Sequence, residues 1–100
     1  MILKLLRKVV HQPGGDKEEV KTETFFYDGF DRVSLSSTLK KDMEPAFGGI
    51  LVDCYTEETS ERVLCVCLLK KDEFIRRIYI DYAYSVYLMS DEGKTIERIN

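Results

Sequence analysis

The side chains with the most chemical potential in this sequence are three thiols and one imidazole, at Cys54, Cys65, Cys67 and His11. Thiolates and a neutral imidazole make a zinc ligand set, and three cysteines on one sheet face with His11 as a fourth donor would complete it. The spacing speaks against that reading. Structural zinc sites draw on paired short spacings such as C-x-x-C with a second pair, whereas here a C-x-C lies inside the apolar run VLCVCLL and Cys54 stands apart. Cysteines alternating in such a run behave as small buried hydrophobes. Neither a metal nor any other cofactor is expected.

Gly93-Lys94-Thr95 has the look of the end of a phosphate-binding loop. That motif also needs a glycine five residues before the Gly-Lys pair and a helix after it; position 88 is Leu, and KTIERI has the pattern of a strand. A hairpin turn is the expectation there. The single histidine sits beside Pro13-Gly14-Gly15, where exposure is the default, so Cys-His or Ser-His chemistry would require that loop to fold over a sheet. The carboxylate pairs Glu57-Glu58 and Asp91-Glu92 fall in expected turns, which keeps them solvated. The expectation is therefore that the protein is not an enzyme, with a small enzyme as the third reading, and no small-molecule substrate is predicted.

A candidate outward surface of arginines and aromatics remains: Arg62, Arg76, Arg77, Tyr79, Tyr87 and Tyr55, joined by Phe25 and Tyr27 on the outward face of the hairpin expected at Asp28-Gly29. Arginine interleaved with tyrosine on a sheet can stack single-stranded bases. It can equally form a protein contact, since Tyr and Arg dominate interface hot spots. For any one of these residues a core or solvated role is the simpler account, but as a group they carry more aromatic surface than a monomer normally exposes.

Charge decides between the two partners. The formal net charge is −3, with eight basic and eight acidic residues in positions 1–50 against seven basic and ten acidic in 51–100. Neither half leaves the positive footprint of a nucleic-acid binder. A protein partner or a homodimer is favoured and nucleic acid disfavoured. The opening MILKLLRKVV is interrupted by Lys4, Arg7 and Lys8 and lacks a small-residue cleavage site, so it does not read as a signal peptide. No stretch approaches the roughly 18 to 20 uninterrupted apolar residues of a spanning helix. Three cysteines without a disulfide-like framework fit a reducing, cytoplasmic setting.

The elements that must position these residues follow from length and period. One hundred residues, 44% hydrophobic and 33% charged, suit a single domain covering 1–100. Two stretches read as loops, HQPGGDKEE and KKDMEPAFGG, and between and after them the dominant rhythm is period two. Asp28-Gly29 between apolar runs predicts a type I′ hairpin that puts Val20, Thr24 and Phe26 on one face with Val33 and Leu35; the rival is one long strand with a bulge at Gly29. Residues 50–56 and 62–69 would pair antiparallel about Glu58 and Thr59, setting Cys54 opposite Val63 and all three cysteines on one face.

After a turn at Lys70 to Glu73, the even positions Phe74, Ile78, Ile80, Tyr82, Tyr84, Val86 and Leu88 alternate with Tyr79, Asp81, Ala83, Ser85, Tyr87 and Met89, Arg76 being the exception on the even face. Sixteen residues are too many for one ordinary strand, so a bend or break near Asp81 is expected. Residues 74–89 and 2–10 also fit helical spacing, but Ile, Val and Tyr density in the first and brevity of the second favour strands. The fold class is thus all-β or mainly β: an antiparallel sheet of about seven or eight short strands forming a small barrel or sandwich, with at most one short helix. Its expected function is that of a small non-catalytic accessory module acting through protein contact or self-association on a Tyr/Arg-rich sheet face, the alternative being a β-barrel module for single-stranded nucleic acid.

Overall fold

The computed structural model describes residues 1–11, 19–43, 51–55 and 61–100, with only the backbone described at 9–11, 19, 51, 52, 54 and 55. The Pro13 to Gly15 turn, the 44–49 part of the second loop, Glu57-Glu58, the 56–60 connection and the side chains of His11, Cys54 and Tyr55 therefore lie outside the described residues. Within them the fold is mainly β and mainly antiparallel. The strands are β1 (Ile2–His11), β2 (Glu19–Tyr27), β3 (Arg32–Leu39), β4 (Leu51–Tyr55), β5 (Arg62–Lys70), β6 (Glu73–Ile80), β7 (Ser85–Met89) and β8 (Thr95–Arg98), and one 3-10 turn occupies Lys40–Asp42. No described helix is long and apolar enough to cross a membrane.

The strands make two four-stranded sheets, in the orders β2-β1-β7-β8 and β3-β5-β6-β4. They belong to two compact units, one built from Met1–Asp28 with Ala83–Asn100 and the other from Gly29–Tyr82. All pairings are antiparallel except that of β4 with β6.

In the first unit, β1 sits between β2 and β7 and alternates as period two demands. Leu3 and Leu5 are fully buried; Leu5 stands in register with Phe25 and Val86, and Leu3 with Tyr27 and Leu88. Burying each leucine contributes roughly 1.5 to 3 kcal/mol. This face also holds a polar group: Arg7 Nη2 donates to Glu23 Oε2 at 3.0 Å, the Tyr84 hydroxyl donates to the same oxygen at 3.1 Å, and the Arg7 guanidinium lies 5.1 Å from the Tyr84 ring centre. The shared carboxylate satisfies the buried Tyr84 hydroxyl and one nitrogen of the half-buried Arg7 guanidinium.

In the second unit, every residue of β5 from Val63 to Leu69 is buried, which is why that segment reads as a continuous apolar run. β5 and β6 join through Lys71 and Asp72, whose φ values of 51° and 63° are the paired positive dihedrals of a tight I′ hairpin. Asp31 Oδ2 accepts from the Lys71 N–H at 3.0 Å, and Arg32 Nη2 meets Asp72 Oδ1 at 3.3 Å, so β3 clasps that turn.

Several expectations hold. The 2–10 and 74–89 segments are strands, and the second breaks after Ile80 before resuming at Ser85. Gly93 (φ 86°) closes a hairpin in which its N–H donates to Ser90 O at 2.9 Å, so Gly93-Lys94-Thr95 is a turn and not a phosphate loop.

Others are corrected. β2 and β3 do not form a hairpin: β2 pairs with β1, β3 pairs with β5, and of Asp28 and Gly29 only the glycine has positive φ, at 79°. Phe30 is buried next to the corner, and the Asp31 N–H donates to Leu69 O at 2.9 Å, carrying the chain into the second sheet. The face assignment reverses with it, since Phe26 (61% exposed) and Val20 point outward while Tyr27 is buried. β4 and β5 do not pair either, because β3 and β6 occupy both edges of β5 and β4 is left to add in parallel beside β6. Cys54 is in register with Tyr79, not with Val63. On the even face of 74–89, Phe74 and Tyr82 are exposed instead of buried.

Candidate functional site

The six residues singled out from the sequence do not converge on one surface. Tyr87 lies in the first unit, on β7, and Arg62, Arg76, Arg77 and Tyr79 lie in the second. Tyr55 is in β4, opposite Ile80, with its side chain outside the described residues. Within the second sheet Arg76 is paired with Leu68 and Arg77 with Cys67, so adjacent arginines point to opposite faces. Arg76 Nη1 is 3.6 Å from Asp53 Oδ2. Arg62 is exposed and its Nε donates to Ser37 Oγ at 3.2 Å, which in turn shares a hydrogen bond of 2.5 Å with the Tyr82 hydroxyl. Tyr79 is corrected outright: it is 2% exposed and packs with Val63, Cys65, Cys67 and Leu69, because cysteine and valine on the neighbouring strand leave room for a ring.

Around Tyr87 the picture differs. Cross-strand partners share a face, and the ladders place Phe26, Lys4, Tyr87 and Arg98 in one row across all four strands of the first sheet. The next row holds Thr24, Leu6 and Ser85, followed by Thr22 beside Lys8. Leu6, Lys8, Ala83, Ser85, Tyr87 and Arg98 line a shallow depression of about 400 Å³. The Arg98 guanidinium sits 5.8 Å from the Tyr87 ring centre, and it is held there by hydrogen bonds from Nε to Asn100 O at 3.1 Å and from Nη2 to Ser85 Oγ at 3.3 Å. Asn100 is itself fixed by donating from Nδ2 to Tyr84 O at 2.6 Å. A guanidinium pre-positioned in this way loses little rotamer freedom on binding.

These rows carry three cations, two aromatic rings and no carboxylate. Neither Lys4 nor Lys8 has an ion pair among the described residues. The acidic residues of this unit's strands stand in other rows: Glu19 is opposite His11, Glu23 is opposite Arg7 on the buried face, and Glu97 is opposite Leu88. Of the residues in these rows, the sequence reading singled out Tyr87 and passed over Lys4, Lys8, Phe26 and Arg98. The alternation of Lys4, Leu6 and Lys8 with Leu3 and Leu5 was the available signal, and Phe26 was hidden by the assumed hairpin.

The second sheet offers a different cluster. Ser34, Cys67 and Arg77 form one cross-strand row, and Ser36, Cys65 and Tyr79 the next. The two cysteines are free of any disulfide, with sulfurs 3.7 Å apart. They border a groove of about 300 Å³ whose described lining includes the hydroxyls of Ser34, Ser36 and Thr38 together with Asp42, Phe74 and Arg77. The hydrogen bond shared with Cys65 and the adjacent Arg77 guanidinium hold the Cys67 thiol below the ordinary thiol range against the opposing effect of burial. Cys65 is pushed the other way, by its hydrogen bond to Cys67, by burial and by the neighbouring sulfur's charge. Among the described residues no three His, Cys, Asp or Glu side chains group as a metal site.

Comparison of the chain with family profiles, with curated proteins and with solved structures finds no match in any of the three.

Proposed function

We propose that this chain is a small non-catalytic binding module, and that the outward face of the β2-β1-β7-β8 sheet docks a protein partner whose contact surface is acidic and apolar. The observation that carries the proposal is the row of Phe26, Lys4, Tyr87 and Arg98, in which ring and cation alternate across four strands with no carboxylate in the row. Half-buried Ile2, Leu6 and Met89 supply apolar contact between the cations. Aromatic and arginine anchors surrounded by such groups are the composition of interface hot spots.

A second copy of the chain fits this face poorly, because a two-fold contact would set a cationic surface against itself. Single-stranded nucleic acid remains the competing partner, since Phe26 and Tyr87 are possible stacking platforms beside lysine and arginine. The net charge of −3 and the aliphatic residues between the rings favour protein.

The test is a titration of isotope-labelled protein with a short acidic amphipathic peptide, one alternating Asp or Glu with Leu and Phe, and in parallel with an oligothymidylate, at low salt. The expected result is that the peptide shifts amide resonances in β1, β2, β7 and β8 and that Lys4→Glu with Arg98→Glu weakens binding roughly tenfold or more. Tighter binding of the oligonucleotide, with affinity falling linearly against log salt, would transfer the site to nucleic acid. No response of these strands to either probe would remove the docking face altogether.

A further inference from the structure

We propose that Cys67 is a modification site for hydroperoxide oxidants, with Cys65 and Arg77 as the residues that position and activate it. It lies in the second unit and is independent of the docking face of the first.

Three observations converge on it. The first is spacing: residues two apart on a strand point to the same side, and here that places two sulfurs free of any disulfide 3.7 Å apart. The second is the setting, a groove of about 300 Å³ bordered by both cysteines, where β3 contributes three hydroxyls and β6 contributes a guanidinium in register with Cys67. The third is the electrostatic asymmetry of the pair. The hydrogen bond shared with Cys65 and the Arg77 guanidinium both lower the Cys67 thiol, while the same hydrogen bond and burial raise Cys65. Among the described side chains, the titratable and charged groups facing the pair are Arg77 and Tyr79 from β6 and Asp42 from the 3-10 turn, β3 presenting hydroxyls there, and the backbone register sets Cys54 of β4 opposite Tyr79 in the same row. A structural pair of buried thiols would need neither the cation nor the hydroxyl lining.

The chemistry balances with a hydroperoxide as the named oxidant. The Cys67 thiolate attacks the terminal oxygen of the peroxide; the S–O bond forms as the O–O bond breaks. Sulfur gives up two electrons, the peroxide is reduced, and the departing hydroxide or alkoxide takes a proton from solvent. Cys67 is left as a sulfenic acid. Arg77 stabilises charge both on the attacking sulfur and on the departing oxygen, and Cys65 donates its S–H to the reacting sulfur.

The experiment treats the folded chain with hydrogen peroxide in the presence of a sulfenic-acid trap and maps the adduct by peptide mass. Carbamidomethylation rates at Cys54, Cys65 and Cys67 are followed from pH 5 to 10 alongside. Expected are trapping at Cys67 ahead of the other two cysteines, carbamidomethylation at pH 7 roughly tenfold faster than for the unfolded chain, and a rate midpoint below the ordinary thiol value of about 8.5. Arg77→Gln should move that midpoint up while Arg77→Lys largely restores it. The wild-type pH profile requires no variant to fold. Cysteines that react only in denaturant, or a Cys67 midpoint at the ordinary thiol value, would overturn the proposal.

Discussion

Strands β1 and β5 are both central in their sheets, yet one is buried on a single face and the other on both. In β1, Leu3 and Leu5 are inaccessible while Lys4, Leu6 and Lys8 look outward; in β5 every residue from Val63 to Leu69 is buried. A one-sided strand leaves its second face available for recognition, and the first sheet fills that face with cations and rings. A two-sided strand keeps only the groove beside Cys65 and Cys67. Its distinctive chemistry is confined to what can be buried, namely two small thiols with a guanidinium beside them. The proposed docking face and the proposed reactive thiol accordingly fall in different units.

The largest expected effect comes from attacking the two-sided strand. Val66→Asp places an unpaired carboxylate at a fully buried position, which costs several kcal/mol, a large share of the about 5 to 15 kcal/mol that holds a domain together. Cooperative thermal unfolding should be lost for Val66→Asp and retained for Leu6→Asp; equal damage from both would erase the distinction between the strands. An intermediate effect is expected from Tyr84→Phe, which removes a donor from the carboxylate that also meets Arg7. Glu23 is partly exposed, so urea denaturation should show a loss of only about 1 kcal/mol. A loss near zero would mean that the polar group on the buried face of the first sheet is ornamental to stability. The smallest effect is reserved for Lys8→Ala, whose stability should stay within about 0.5 kcal/mol of wild type by the same measurement. A larger destabilisation there would turn the outward face from a docking surface into a structural one.

Local features of this fold were legible in the sequence, and long-range ones were not. The alternation in β1, the tight turn at Lys71 and Asp72, the Gly93 hairpin and the break after Ile80 are each set by residues within a few positions of one another. Pairing is another matter. Period two states that side chains alternate without stating which strand lies alongside, and β5 accepted β3 and β6 in place of β4. One mistaken neighbour then propagates: assuming that β2 folds back on β3 sent Phe26 inward and Tyr27 outward, the reverse of what β1 imposes as the true partner. The candidate site was least legible, because a row such as Phe26, Lys4, Tyr87 and Arg98 is assembled from four separate strands. Tyr79 was misplaced for a different reason. Both faces of its strand are buried near Ile80, and alternation carries no information where there is no polar side.

The first sheet takes β1 and β2 from one portion of the chain and β7 and β8 from another, with the whole second unit encoded between them. On a ribosome adding roughly 5 to 20 residues per second, β1 therefore emerges seconds before the strand that will occupy its second edge. During that interval it can form only the two-stranded ribbon with β2, which is marginal by itself. The Gly29–Tyr82 unit, being contiguous, faces no such delay and can mature while the ribbon waits.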